Sequence, residues 1–172
     1  MRNKRQVWVS LHSRGALSLG SNRTQLGHAA FHWGILVSLK VSSGADCHAY
    51  DVTDNLLIDP NSRTNLNPHN GWRFRHNPNE DPERNPRILG MVMIGKVPND
   101  VPYDDIEARL ASLPLPDKDV QPVQNRVTWT MAAIGKLQEI GVAEMFDISD
   151  SWTMQRCLLI GGFEIRRRRR KR

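Results

Sequence analysis

The sequence predicts an α+β fold, an antiparallel sheet packed against helices, and three observations carry that expectation. The run Trp33-Gly34-Ile35-Leu36-Val37-Ser38-Leu39 is almost continuously apolar, as a strand covered on both faces is. Between Asn125 and about Ile140, apolar residues recur at helical spacing. Strand-like segments come first, helical ones follow, and a strand-like segment comes last, which suits α+β better than an alternating parallel fold.

Taken in order, Gln6 to Leu11 reads as the first strand, with Val7, Trp8 and Val9 inside it. Residues 12–27 are rich in Ser, Thr, Gly and Arg and read as a loop. His28 to Val41 holds the strongest strand, Ser42-Ser43-Gly44-Ala45-Asp46 is a turn cluster, and Cys47 to Thr53 is the next strand. Two strands around a short polar turn form an antiparallel hairpin. Residues 54–86 are dominated by Asn, Pro, Arg and Asp, with a short strand expected over Trp72 to Arg75. Arg87 to Val97 reads as a buried strand, and Pro102 to Leu110 as a helix with proline and acids in its first turn, where the helix dipole favours them. The second helix carries Val127, Met131, Ile134 and Leu137 on one face, Gly135 suggests a close strand, and Gly141 is placed to cap it. Cys157 to Ile165 reads as a last strand.

At 172 residues the chain is long enough for a core without disulfides or metals, and a single domain is expected over residues 1–165. The net charge of +6 is uneven, because residues 166–172 are seven consecutive cations. Without them 17 Lys and Arg face 18 Asp and Glu, a net of −1. Such a run repels itself and is expected to be a disordered polybasic tail. It can act as a nuclear-import signal, as a salt-sensitive handle for nucleic acid or an acidic surface, or as nothing but a solvated end. Two cysteines point to a reducing compartment. No apolar run approaches the roughly 20 residues that span a bilayer, and no signal-peptide stretch follows the basic start. An intracellular, cytoplasmic or nuclear protein is expected, without a transmembrane segment.

The chemistry-bearing residues are few. His32 sits in an apolar strand beside Trp33, where a lone histidine is most often a satisfied core residue. His48 lies on the following strand, so two imidazoles can share one face as a relay or half of a metal site. No third ligand has suitable spacing: His12 and His28 flank His32, while His69 and His76 fall in the Asn/Pro-rich loop. No metal and no cofactor is expected. Cys47 and His48 are strand neighbours and point to opposite faces, so they cannot form a nucleophile–base pair. Cys157, among Leu158, Leu159 and Ile160, reads as a core residue.

Phe31-His32-Trp33-Gly34-Ile35-Leu36-Val37 is similar to the His-Trp segment of the circularly permuted papain-like superfamily, the lecithin:retinol acyltransferase-like and NlpC-like proteins. Cys47 to Thr53 resembles the strand that follows, which in several members carries a second histidine. Ile94 to Asn125 is similar to small fungal members. The nucleophile of that family lies in an Asn-Cys-x-x-aromatic motif at a helix start, and here the stretch reads Asn125-Arg126-Val127-Thr128-Trp129. The resemblance implies a papain-like fold with His32 as base and His48 orienting it. It puts Arg126 at the nucleophile position, facing His32 across a cleft lined by Trp33 and Trp129.

A thiolate is activated by a helix N-terminus and an imidazolium, but a guanidinium stays protonated and is no nucleophile. Arg126 at the positive end of a helix dipole is mildly unfavourable. It either swings into water over an eroded site or, with Asn125 and free first-turn amides, forms a carboxylate- or phosphate-binding corner. The expected function is therefore a catalytically impaired domain that binds a protein partner or an anionic small molecule. Two alternatives stay open: an active thiol-type or substrate-assisted acyltransferase or hydrolase with His32 as base, and a nucleic-acid binder working through residues 166–172.

Overall fold

The computed structural model describes residues 3–148. Five strands, β1 (Arg5–Ser13), β2 (Phe31–Leu39), β3 (Cys47–Thr53), β4 (Arg73–Glu80) and β5 (Ile88–Val97), form one sheet in the order β4-β3-β2-β1-β5. Every neighbouring pair is antiparallel. Three α-helices accompany it: α1 (Gly20–Leu26), α2 (Tyr103–Ala111) and α3 (Arg126–Glu139). The α+β class and the antiparallel sheet are as the sequence implies. The expected strand over Cys157 to Ile165 and the tail at 166–172 lie outside the described residues.

Alternation along the strands gives the sheet two different faces. Val7, Val9 and Leu11 of β1 pair with Val37, Ile35 and Trp33 of β2, and Ile35 pairs with Tyr50 of β3. These side chains, with Val52, are buried against Ile106 and Leu110 of α2 and Trp129, Ala133, Ile134 and Leu137 of α3. The opposite parity puts Ser10, His12, His32, Gly34, Asp51 and Arg75 on the other face. Neither α2 nor α3 packs there, so among the described residues one face is covered by helices and the other is open.

Asn125 caps α3: its side chain accepts from Val127 N–H at 2.8 Å, and its own N–H donates to Thr128 Oγ1 at 2.7 Å. Gly141, at φ +68°, follows the helix end. The buried stripe of α3 is Trp129, Thr130, Ala133, Ile134 and Leu137, whereas Val127 and Met131 are half-buried at its edge. The face expected from Val127 and Met131 is thus rotated, because Trp129 brings more apolar area to the core. Gly135 faces the Ile148 side chain rather than a strand. The close approach lies at Gly95, where a Cβ would stand 2.3 Å from the Val142 carbonyl oxygen. That carbonyl belongs to the segment that leaves α3 and donates Glu144 N–H to Ile94 O at 2.7 Å.

Two loop expectations are corrected. Residues 12–27 hold the end of β1, a 3-10 turn at Gly15–Ser18 and α1, followed by a second 3-10 turn at Gly27–Ala30. Helix α1 buries no residue, so no apolar period announced it. The short strand expected at Trp72 to Arg75 begins at Arg73 and continues to Glu80, which moves His76 from loop to strand.

Candidate functional site

On the open face, the floor of a groove of about 920 Å³ is made by β1, β2, β3 and β4. His12 and His32 are direct cross-strand partners, edge to face with ring centroids 5.7 Å apart. His32 Nε2 lies 3.1 Å from Asp51 Oδ2. Asp51 is in turn clamped by Arg75, whose Nε donates to Oδ1 at 3.0 Å and Nη2 to Oδ2 at 2.7 Å. Burial alone would raise the Asp51 carboxyl, but the hydrogen bonds from His32 and Arg75 outweigh it and hold it below the usual carboxylate range. Gly34 makes room for this packing: a Cβ there would press on the Asp51 Cβ at 3.3 Å and the Tyr50 carbonyl at 3.1 Å. Burial, and then the neighbouring His32, push His12 down to about 4, so its ring is neutral at physiological pH.

Arg126, the first residue of α3, does not reach into water. It is 6 % exposed; Nη2 donates to Asp54 Oδ1 at 3.0 Å, and the guanidinium lies 5.3 Å from the centroid of the Trp72 ring. Asp54 directly follows β3 and also takes Lys118 at 3.2 Å. The Arg126 Nε and the Trp72 Nε1 are both buried donors with no hydrogen-bond partner among the described residues. Both residues wall a smaller cavity of about 290 Å³, together with Arg14, Asn125 and Lys118. Arg14 and Arg126 belong to both hollows, so the two are neighbours. Burial, then repulsion from Arg126, lowers the Arg14 guanidinium.

The sequence-expected constellation is therefore only partly assembled. His32 and Arg126 do line the same groove, but α3 packs on the covered face, opposite the His32 side chain. His48 does not orient His32. Its strand partner is Val37, five residues along β2 and of the other parity, so the two imidazoles lie on opposite faces. His48 Nδ1 instead meets His76 Nε2 at 3.0 Å, His76 Nδ1 meets Glu107 Oε2 at 2.8 Å, and the His48 ring stacks on Tyr103 at 3.7 Å. The orienting group for His32 is Asp51. Trp33 and Trp129 do not line the cleft. Both are buried in the core, and Trp33 Nε1 donates to His28 O at 2.8 Å. The first-turn amides expected to stay free are engaged by the Asn125 cap, because a capping Asn supplies their acceptor from within.

Asp51, Arg75, Trp72, Asp54 and Arg14 went unrecognised in the sequence. Arg75 and Asp51 share a face only through the β3–β4 register, and a parity count on two strands already assigned is the signal that could have paired them. Cys47 is the cysteine among the described residues. It is buried, and burial followed by the nearby carboxylates pushes its thiol up to about 12. A thiol held there supplies no thiolate at neutral pH.

Among the described residues no three or more His, Cys, Asp and Glu side chains are grouped to hold a metal ion. No helix there is long and apolar enough to cross a membrane. No curated protein and no solved structure matches the chain. A family match extends over residues 4–155, most of the chain, and the protein belongs to that family, described as a family of unknown function (DUF6914).

Proposed function

We propose that this is a non-catalytic domain that binds an anionic small molecule at the corner where α3 begins, on a scaffold related to the permuted papain-like enzymes its motifs resemble. One observation carries the reading: two buried donors, Arg126 Nε–H and Trp72 Nε1–H, have no acceptor among the described residues and belong to residues that wall one cavity. A buried donor left unpaired costs about 1–3 kcal/mol, and an oxyanion removes that cost for both.

The charge balance agrees. Arg14, Lys118 and Arg126 line the cavity against the single carboxylate of Asp54. Planar guanidinium donors suit carboxylate or phosphate oxygens. In the related enzymes a thiolate would stand where Arg126 stands, and a permanent cation there turns a position built to develop negative charge into one that receives it. The start of α3 lies at the sheet end that carries His32 and Asp51, which favours the kinship. The loss of sulfur removes the chemistry.

Titration with inorganic phosphate and with acetate, followed by calorimetry and amide shifts, tests the reading. Saturable binding is expected, weakened at least tenfold in Arg126→Met and severalfold in Trp72→Phe, which keeps the ring and deletes only the N–H. Asp54→Asn, which removes the competing anion, is expected to tighten binding. Wild-type protein that binds neither ion, or Trp72→Phe that binds as wild type does, would overturn it.

A further inference from the structure

Two imidazoles on the groove floor each keep one nitrogen that no protein group uses, and their neighbours fix which one. The Ser10 hydroxyl stands 3.2 Å from Gly34 O and 3.0 Å from His12 Nε2, so that ring nitrogen is engaged by Ser10 whichever of the two carries the hydrogen. Asp51 is ionised, so His32 Nε2 carries a hydrogen and donates it. Each ring then keeps its Nδ1, and neither Nδ1 has a protein partner among the described residues. Around these two nitrogens stand guanidinium donors with capacity to spare. Arg87 makes no side-chain hydrogen bond or ion pair among the described residues, and Arg75 commits Nε and Nη2 to Asp51, leaving Nη1.

Such a surface selects its ligand by elimination. A bare inorganic anion would satisfy the cations but leave the rest of the groove, with both Nδ1 atoms, unfilled. A metal ion would sit among Arg14, Arg75 and Arg87. An apolar molecule would strip water from all of them without return. A ligand with negative charge at one end and hydroxyls along its body satisfies both sets. The groove, at about 920 Å³, is large for a single phosphate and within the range of small-molecule sites.

We infer that the groove binds a polyhydroxylated anion, a sugar phosphate or a sugar acid, its charged group toward Arg14 and Arg126 and its hydroxyls, which both donate and accept, hydrogen-bonded to the Nδ1 atoms of His12 and His32. This rests on the anion reading above and extends it by a second set of contacts.

The test titrates the full chain with phosphate, glucose, glucose 6-phosphate and glucuronate, reading affinity by calorimetry and the imidazole nitrogens by ¹⁵N NMR. Glucose 6-phosphate or glucuronate is expected to bind at least tenfold more tightly than both phosphate and glucose, with the Nδ1 resonances of His12 and His32 shifted. Which of the two binds tighter tells a phosphate from a carboxylate site. If both sugar anions bind no better than phosphate, the hydroxyl contacts are wrong and the anion corner survives. If they bind no better than glucose, the anion corner is wrong. Tight binding that leaves both Nδ1 resonances unmoved overturns the placement. His32→Gln is expected to bring glucose 6-phosphate down toward the affinity of phosphate. Should that variant not fold, the wild-type nitrogen shifts still decide.

Discussion

The two faces of the sheet each carry a pair of histidines, and the pairs are built in opposite ways. On the covered face His76 is closed on both sides, Nδ1 against Glu107 and Nε2 against His48, and the pair is stacked on Tyr50 and Tyr103. On the open face each ring spends one nitrogen on a sheet neighbour and leaves the other bare. The covered pair is a clasp between β3, β4 and α2. The open pair is an anchored surface with unused hydrogen-bonding capacity, the combination that binding needs and stability does not.

That contrast can be broken most directly at Asp51. It is the buried end of the open-face array, and its loss leaves His32 and Arg75 without their shared acceptor. Removing one partner of a buried charged pair costs about 3–5 kcal/mol. Because Arg75 is half-exposed and can turn to water, about 3 kcal/mol is the expected cost for Asp51→Asn, read by urea unfolding. A loss under about 1 kcal/mol would mean that the array is a surface ion pair and anchors nothing.

The next largest effect is on acid stability. His12 is lowered to about 4 in the folded chain and returns to about 6.5 when unfolded. Between those values the unfolded state binds more protons, so stability rises with pH and is lost as pH falls. From pH 7 to pH 5 the expected loss is about 2 kcal/mol. His48 is also lowered, by burial and then by His76, and adds in the same direction. His12→Gln should flatten the profile in this window, as unfolding midpoints at the two pH values would show. An unchanged slope would mean that His12 is hydrated and not held neutral.

How much of this could be read from the chain differs between the same two faces. The covered face was legible because its residues follow a period: Val7, Val9 and Leu11, or Trp33, Ile35 and Val37, announce themselves as alternating apolar positions. The open-face array has no such period. Its members come from positions 10, 12, 32, 51 and 75, and only strand register sets them side by side. The sequence places His48 beside His32 only as a residue on the adjoining strand. The β2–β3 register pairs it with Val37 instead, and a histidine of the wrong parity cannot cross a sheet. Arg126 stands at the first turn of a helix, as the sequence implies. Its burial depended on Asp54 and Trp72, which lie 72 and 54 residues earlier and which no local pattern connects to it.

On the covered face, Glu107→Gln probes the clasp. The Glu107 side chain is 40 % exposed, and such a pair is worth well under about 1 kcal/mol. The expected change in unfolding midpoint is therefore small, with α2 still docked through Ile106 and Leu110. A cost equal to that of Asp51→Asn would erase the distinction between the faces.

Arg126→Cys carries the smallest expected effect and the sharpest meaning. It places at the first turn of α3 the sulfur that the proposed papain-like kinship expects there. A helix N-terminus alone lowers a thiol moderately, so alkylation about threefold faster than for a free cysteine is the most the position supplies. The second ingredient, an imidazole facing the thiol from the strand, is missing, because His32 turns to the open face and gives Nε2 to Asp51. His48 is held by His76 and Tyr103 on the opposite face. Alkylation rates measured against pH, with and without His32→Gln, read both ingredients at once. Rates that His32→Gln leaves unaltered would show that the site lacks a base as well as sulfur. Acceleration by orders of magnitude that vanishes in the double variant would show that the groove can still bring His32 to the start of α3, and that Arg126 alone keeps the domain silent.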